Sequence, residues 1–241
     1  MSIYLFCEGQ TEINVVKKFA TLADPNVRGK GKDQVNKEMH KRLGPRLNQL
    51  KAVRALIMRD VDQEETPQSI VQSVTDAVRS MLIERGFQQE VQFEPCANHP
   101  NVYLLTLSKP DPFLDLRLAL HLATDKWKED FINATIDDYV LNLALREETV
   151  ISFLQKKKWS AIKPEQIIAK VTDHIPALLQ KNGIRLSEAK DYVRLYATVI
   201  QMHTSPPVFA EKTLANAAEA DKQTVFASLL AALDYLGEGS S

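Results

Sequence analysis

Two short clusters of carboxylates are the residues of this chain best suited to chemistry. The first is Glu8-Gly9-Gln10-Thr11-Glu12 and the second Asp60-Val61-Asp62. Each follows an apolar run, Ile3-Tyr4-Leu5-Phe6-Cys7 in one case and Val53-Arg54-Ala55-Leu56-Ile57-Met58 in the other. Runs of that length, rich in bulky side chains, predict buried strands. Residues two apart in a strand share a side and lie about 7 Å apart, so Asp60 and Asp62 can reach one site together. If the two strands pair, Glu8 comes within roughly 5 Å of that neighbour, and Glu12 follows one helical turn later. Carboxylates forced together repel, and an Mg²⁺ or Mn²⁺ ion is their natural neutraliser. Ligation by oxygen alone favours these hard cations over zinc. Such ions support phosphoryl transfer by activating a water and stabilising the leaving oxygen.

The surrounding pattern says which elements would hold these groups. Gly9 breaks the first apolar run, and Val15, Val16, Phe19 and Leu22 then recur at helical spacing, with Thr11 placed to cap that helix. Asp24 to Lys32 carries Pro25, Gly29 and Gly31 and reads as a loop. A short helix is expected over Gln34 to Leu43, ending before Gly44-Pro45. A second strand, Ala52 to Arg59, precedes Thr66-Pro67, a helix start with Thr66 as cap and Pro67 where its missing amide costs nothing. Ile70, Val74, Ala77, Val78, Met81 and Leu82 mark the buried face of that helix, and Gly86 its end. Val91 to Glu94 and Val102 to Leu107 read as further strands. The order predicts an α/β fold with an open, mostly parallel sheet of about four strands flanked by helices. Carboxylates at the carboxyl ends of two neighbouring parallel strands would face one crevice, where such sheets bind ligands.

From Asp111 onward the spacing turns helical, through Leu114, Leu118 and Leu122, then Ile136, Val140, Leu143, Ile151 and Leu154. It continues through Ile167, Ile168, Val171 and Ile175, then Tyr192 and Tyr196, to a last apolar helix over Val225 to Leu236. The expected division is an α/β domain over residues 1–110 and an α-helical C-terminal half over residues 111–241, with no linker to separate their cores.

The two motifs, each after a hydrophobic strand and in this order, resemble the Toprim fold of topoisomerases, primases and related nucleases. The resemblance covers roughly residues 1–110 and does not extend to the helical half. The Glu8-Gly9-Gln10-Thr11-Glu12 form is similar to the Toprim nucleases of the OLD (overcoming lysogenization defect) type and to small stand-alone Toprim-like proteins linked to phage defence. It implies that Glu8, Asp60 and Asp62 bind a divalent metal and that Glu12 assists a second. It also implies a further acidic residue after the Asp-x-Asp pair, for which Glu64 and Glu65 are candidates. A topoisomerase would need a nucleophilic tyrosine in a separate, larger domain, and that branch is set aside.

Composition narrows the partners. Net charge is −1, with 44% apolar and 25% charged residues. This is an ordinary globular balance with no global attraction to nucleic acid or membrane. Local attraction is another matter. Between Arg28 and Arg54 nine basic residues face two acids, Asp33 and Glu38, for a net +7. Arg28, Lys30, Lys32, Lys41 and Arg42 are the expected contacts to nucleic-acid phosphates, with a solvated loop and helix face as the plainer alternative. Two cysteines, Cys7 and Cys96, make no framework, and five scattered histidines show no zinc spacing. Cys7 is expected to point away from Glu8 into core, His99 and His121 to be structural, and Trp127/Phe131 and Tyr192/Tyr196 to be core pairs. Lys109, just past a predicted strand, is a weaker candidate for a phosphate contact. No signal-peptide pattern and no apolar run of about 18 residues is visible, so a cytoplasmic location without membrane contact is expected.

The leading expectation is a divalent-metal-dependent nuclease or related phosphoryl-transfer enzyme acting on DNA or RNA, with a separate protein such as an ATPase as a conceivable partner. Its rivals are a non-catalytic Toprim-like module that binds metal or a partner, and a small-molecule phosphohydrolase on the same site.

Overall fold

The computed structural model describes residues 2–24, 26–29, 31–49 and 51–237, Asp33 by its backbone alone. The chain folds as two compact units, Met1–Thr124 with Ser228–Ser241, and Asp125–Ala227. The first holds β1 (Ser2–Phe6), α1 (Gln10–Phe19), β2 (Thr21–Leu22), α2 (Val35–Leu47), β3 (Val53–Asp60), α3 (Pro67–Ile83), β4 (Glu94–Cys96), β5 (His99–Pro110) and β6 (Phe113–Ala123). The second is helical: α4 (Ile136–Ala144), α5 (Glu147–Lys157), α6 (Pro164–Ala169), α7 (Ile175–Lys181), α8 (Ala189–Val199), α9 (Pro206–Asn216) and α10 (Glu219–Val225). A last helix, α11 (Ala227–Gly237), returns almost entirely to the first unit.

The sheet has six strands in the order β2-β1-β3-β6-β5-β4. β2, β1, β3 and β6 run parallel, with Phe6 beside Ile57 and Asp60 beside Ala123. β5 and β4 add an antiparallel edge. The class is therefore α/β as expected, but the sheet is mixed and two strands larger than the pattern suggested. The difference lies mostly in β6. Leu114, Leu118 and Leu122 satisfy a helical spacing, and they satisfy a strand spacing equally well once Leu116 and Leu120 fill the gaps. All five leucines lie in one buried cluster with Phe6, Val53, Ala55 and Ile57 from the neighbouring strands. Period two wins because every second residue finds the same core. The α/β unit accordingly extends to Thr124 rather than to residue 110.

That core is closed by Met39 and Leu43 of α2 and by Ile70, Val74, Val78 and Met81 of α3. α2 runs on through Gly44-Pro45, where an end was expected. Burial of both Leu43 and Leu47 holds the last turn in place despite the missing proline amide. α3 starts as predicted, with the Thr66 hydroxyl accepting from Ser69 N–H and Pro67 in the first turn. α1 does not. Its N-cap is Gly9, Thr11 lies buried inside the helix, and the Glu12 carboxylate performs the capping. On the opposite sheet face α11 is tied down by polar contacts. Ser228 Oγ lies 3.0 Å from the buried His121 Nε2 and accepts from Asn101 Nδ2 at 3.3 Å.

In the helical unit Trp127, Phe131 and Tyr192 form a ring cluster, and Tyr196, Phe153 and Phe209 form another. Phe131, Tyr192 and Tyr196 are buried, as befits core packing. Among the described residues no helix is long and apolar enough to cross a membrane.

Candidate functional site

β1 and β3 are adjacent and parallel, so the chain leaves both at the same end of the sheet. Side chains alternate along each strand. Phe6 shares a face with Ala55 and Ile57. Continued by two residues, the alternation brings Glu8 and Arg59 together on that face and Cys7 and Asp60 together on the other. Arg59 Nε donates to Glu8 Oε1 at 2.7 Å, and Arg59 Nη2 to Glu65 Oε1 at 3.2 Å. Lys32 Nζ lies 2.8 Å from Asp62 Oδ2 and 3.1 Å from Glu65 Oε2. The second of these is an ion pair by distance, although Glu65 Oε2 lacks the alignment of a hydrogen bond. Glu8, Arg59, Glu65, Lys32 and Asp62 thus form one chain of alternating charge across the strand ends. Arg59 is its buried centre at 5% exposure, against 17% for Glu8 and 37% for Asp62. The two carboxylates beside Lys32 also raise its pKa above the ordinary lysine value, Asp62 first and Glu65 second.

The loop after β2 is laid directly on the first motif. Gly31 N–H donates to the Glu8 carbonyl at 2.9 Å. At Gly29 a Cβ would sit 2.5 Å from Gly9 Cα and 2.7 Å from the Glu8 carbonyl oxygen, so only glycine permits this approach. Gly31 has φ +76°, and that left-handed turn aims the following Lys32 at the acids. Beneath, Gly9 N–H donates to Glu12 Oε1 at 3.1 Å, with Glu12 only 4% exposed. The turn is therefore gripped from both sides.

Cys7 is buried, as expected. Burial first, then the charges of Glu12, Asp60 and Glu8, push its thiol far above the usual range. Such surroundings disfavour the thiolate, the form in which a cysteine acts as a nucleophile. Its surroundings are informative: Glu12, Asp60 and Glu8 all act on one buried sulfur, so they gather around the same strand end.

The four acids picked out by the motifs, Glu8, Glu12, Asp60 and Asp62, all lie at this end of the sheet, engaged in different ways. Asp60 and Asp62, expected to act as a pair, have separate surroundings, Asp60 near Cys7 and Asp62 on Lys32. Of the two candidates for the further acid, Glu65 joins the network and Glu64 is exposed. The sequence reading missed Arg59 and the inward role of Lys32. Strand alternation from Phe6 and Ile57 could have found Arg59, whereas a contact across 30 residues leaves no such trace.

The basic span is less of a surface than its composition suggested. Lys32 is turned into the acidic network, and Arg42 pairs with Asp24 at 2.6 Å while lying over the Tyr4 and Phe6 rings. Arg54 pairs with Asp115. Arg28 and Lys41 are exposed and make no ion pair among the described residues. Lys30 lies outside the described residues. Lys109 pairs with Leu114 near the start of β6, at the end of the sheet opposite the acids, so it cannot serve this site.

As a cation site the donors suit the ion, since all are carboxylate oxygens. The Lys32 ammonium, between Asp62 and Glu65, already occupies the place of a positive ion. Among the described residues no three acidic, histidine or cysteine side chains are gathered as metal ligands. Arg59 and Lys32 hold the carboxylates instead. Compared with known proteins, the chain matches no family model, no curated protein and no solved structure.

Proposed function

We propose that the chain is a divalent-metal-dependent phosphodiester hydrolase acting on nucleic acid, built on a Toprim-like pair of strands. The observation that carries this reading is the contact between Glu8 and Arg59, because it joins the acids of one motif to those of the other across two parallel strand ends. That end is where open α/β sheets accept ligands.

In this reading Glu8, Asp60 and Asp62 hold an Mg²⁺ or Mn²⁺ ion, with Glu12 behind them in support of a second. Bound there, the ion supplies a water activated near neutral pH and a stabilised leaving oxygen. Arg59 stays buried between Glu8 and Glu65 and keeps their charges from forcing the strands apart. Lys32, released from Asp62 and Glu65, meets a substrate phosphate. Exposed Arg28 and Lys41 contact the polyanion further along.

A second reading, a non-catalytic binding module, is favoured by one feature: Arg59 and Lys32 already balance the carboxylates without any metal. Incubation with single- and double-stranded DNA and RNA in Mn²⁺ or Mg²⁺, beside Asp60→Ala, separates the two. The nuclease reading expects cleavage by wild type and none by the variant. Nucleic-acid binding in Ca²⁺ without cleavage in Mn²⁺ would favour the module.

A further inference from the structure

Beside the first motif lies a pocket that the metal reading leaves unused. β2 stops at Leu22, and Ala23 N–H makes the last bond to that edge of β1, at the Ile3 carbonyl. Leu5, on the same edge as Ile3, pairs with no further strand there among the described residues. The loop that follows stands off here and borders a cleft of about 180 Å³, partly open to solvent, with Leu5, Phe6, Arg28, Glu38 and Arg42 among its walls. A cavity of roughly 150 Å³ holds one benzene-sized ring, so this space is of the size for a single planar heterocycle.

The charges say which kind. Arg42 and Asp24 neutralise each other, and both Asp24 oxygens are taken, one by Arg42 and one by Asn26 N–H. That leaves one carboxylate, Glu38, and one guanidinium, Arg28, neither with an ion pair among the described residues. The wall as a whole is electrically balanced, which disfavours a phosphate and suits a neutral ring with polar edges. A carboxylate accepts from two adjacent N–H donors, and an arginine donates to two adjacent acceptors. Guanine alone among the bases offers both, N1–H with N2–H on one edge and O6 with N7 on the other. Adenine would turn a lone pair toward the carboxylate and an amino group toward the guanidinium.

We infer that this pocket binds a guanine base, read by Glu38 and Arg28, next to the strand end that carries Glu8. The inference rests on the nucleic-acid reading for the class of ligand, and it deepens that reading by giving the substrate a base preference. The loop that walls the pocket also docks on the Glu8-Gly9 turn, so a base held here lies one residue from the carboxylate site.

The test is calorimetric titration of the full chain with guanosine and adenosine 5′-monophosphates at millimolar concentration, in EDTA so that metal plays no part. Wild type should bind the guanine nucleotide at least about tenfold more tightly. Glu38→Gln and Arg28→Ala should each bring it down to the adenine level without shifting the melting point. Equal binding of the two nucleotides, no binding of either, or selectivity that survives Glu38→Gln would overturn the pocket. Guanine selectivity without metal-dependent cleavage would sink the nuclease reading and leave the pocket standing. Cleavage without guanine selectivity would do the reverse.

Discussion

Arg59 lies 2.7 Å from Glu8 and 3.2 Å from Glu65, a nearly buried cation between acids that come from two different strand ends. Removing one partner of a buried pair leaves an uncompensated charge, which costs about 3 kcal/mol or more. Arg59→Met should therefore destabilise the first unit by about that amount in urea unfolding. Because Glu8 would then lack its counter-charge, while Glu65 keeps only Lys32, added Mn²⁺ should recover part of the loss. A loss well under 1 kcal/mol would mean that the pair behaves as an ordinary surface bridge.

Lys32 competes with any cation for Asp62. Lys32→Met removes the ammonium 2.8 Å from Asp62 and frees Glu65 Oε2 as well. Mn²⁺ affinity should rise severalfold while nucleic-acid binding falls, since the same residue is then missing from the phosphate side. Paramagnetic titration reads the first and filter binding the second. Unchanged Mn²⁺ affinity would place the ion away from Asp62.

Gly29→Ala tests the grip of the loop on the first motif. The new Cβ would meet Gly9 Cα at 2.5 Å, a backbone contact that no side-chain rotation relieves. Overpacking of this kind costs about 1–3 kcal/mol. The melting point should fall, and limited proteolysis should cut faster between residues 23 and 32 than in wild type. Unaltered proteolysis there would show that the loop is not docked on the turn.

His121 sets an acid limit on the first unit. Burial first, and the nearby His99 second, lower its pKa from 6.5 to about 4, so the folded protein keeps the ring neutral against Ser228. An unfolded chain takes up the proton below pH 6.5 and the native one only near pH 4. This contribution is complete above pH 6.5 and is lost progressively as pH falls toward 4. Between those limits wild type should lose on the order of 3 kcal/mol more stability than His121→Gln, which cannot titrate. Parallel losses would assign the acid sensitivity to other groups.

Much of this was legible in the chain. Tyr4, Phe6, Ala55 and Ile57 announced two buried strands, and Thr66-Pro67 marked its helix start to the residue. Glycine in the Asp24–Lys32 stretch announced a loop, though not that Gly29 sits against Gly9. The failures have physical causes. A leucine every fourth residue from Leu114 fits two periods at once, and the choice belonged to a sheet that the local pattern does not contain. Gly44-Pro45 looked like a stop, but burial of Leu47 outweighs it. Acids at a strand end are common, and these stood out because two such clusters, Glu8 to Glu12 and Asp60 to Asp62, each follow an apolar strand. The cations that balance them did not, because Lys32 counted as one more residue of a basic span and Arg59 as the polar end of a strand.

The central claim is that Glu8, Asp60 and Asp62 share a cation, and melting of wild type against Asp60→Asn with and without Mn²⁺ tests it most directly. An ion that binds only the folded state stabilises it by about 2.7 kcal/mol at a hundredfold excess over Kd, worth roughly 5 °C or more for a chain of this size. Wild type should show that rise. Asp60→Asn should lose most of it. An equal response to Mn²⁺ in both proteins would contradict the account.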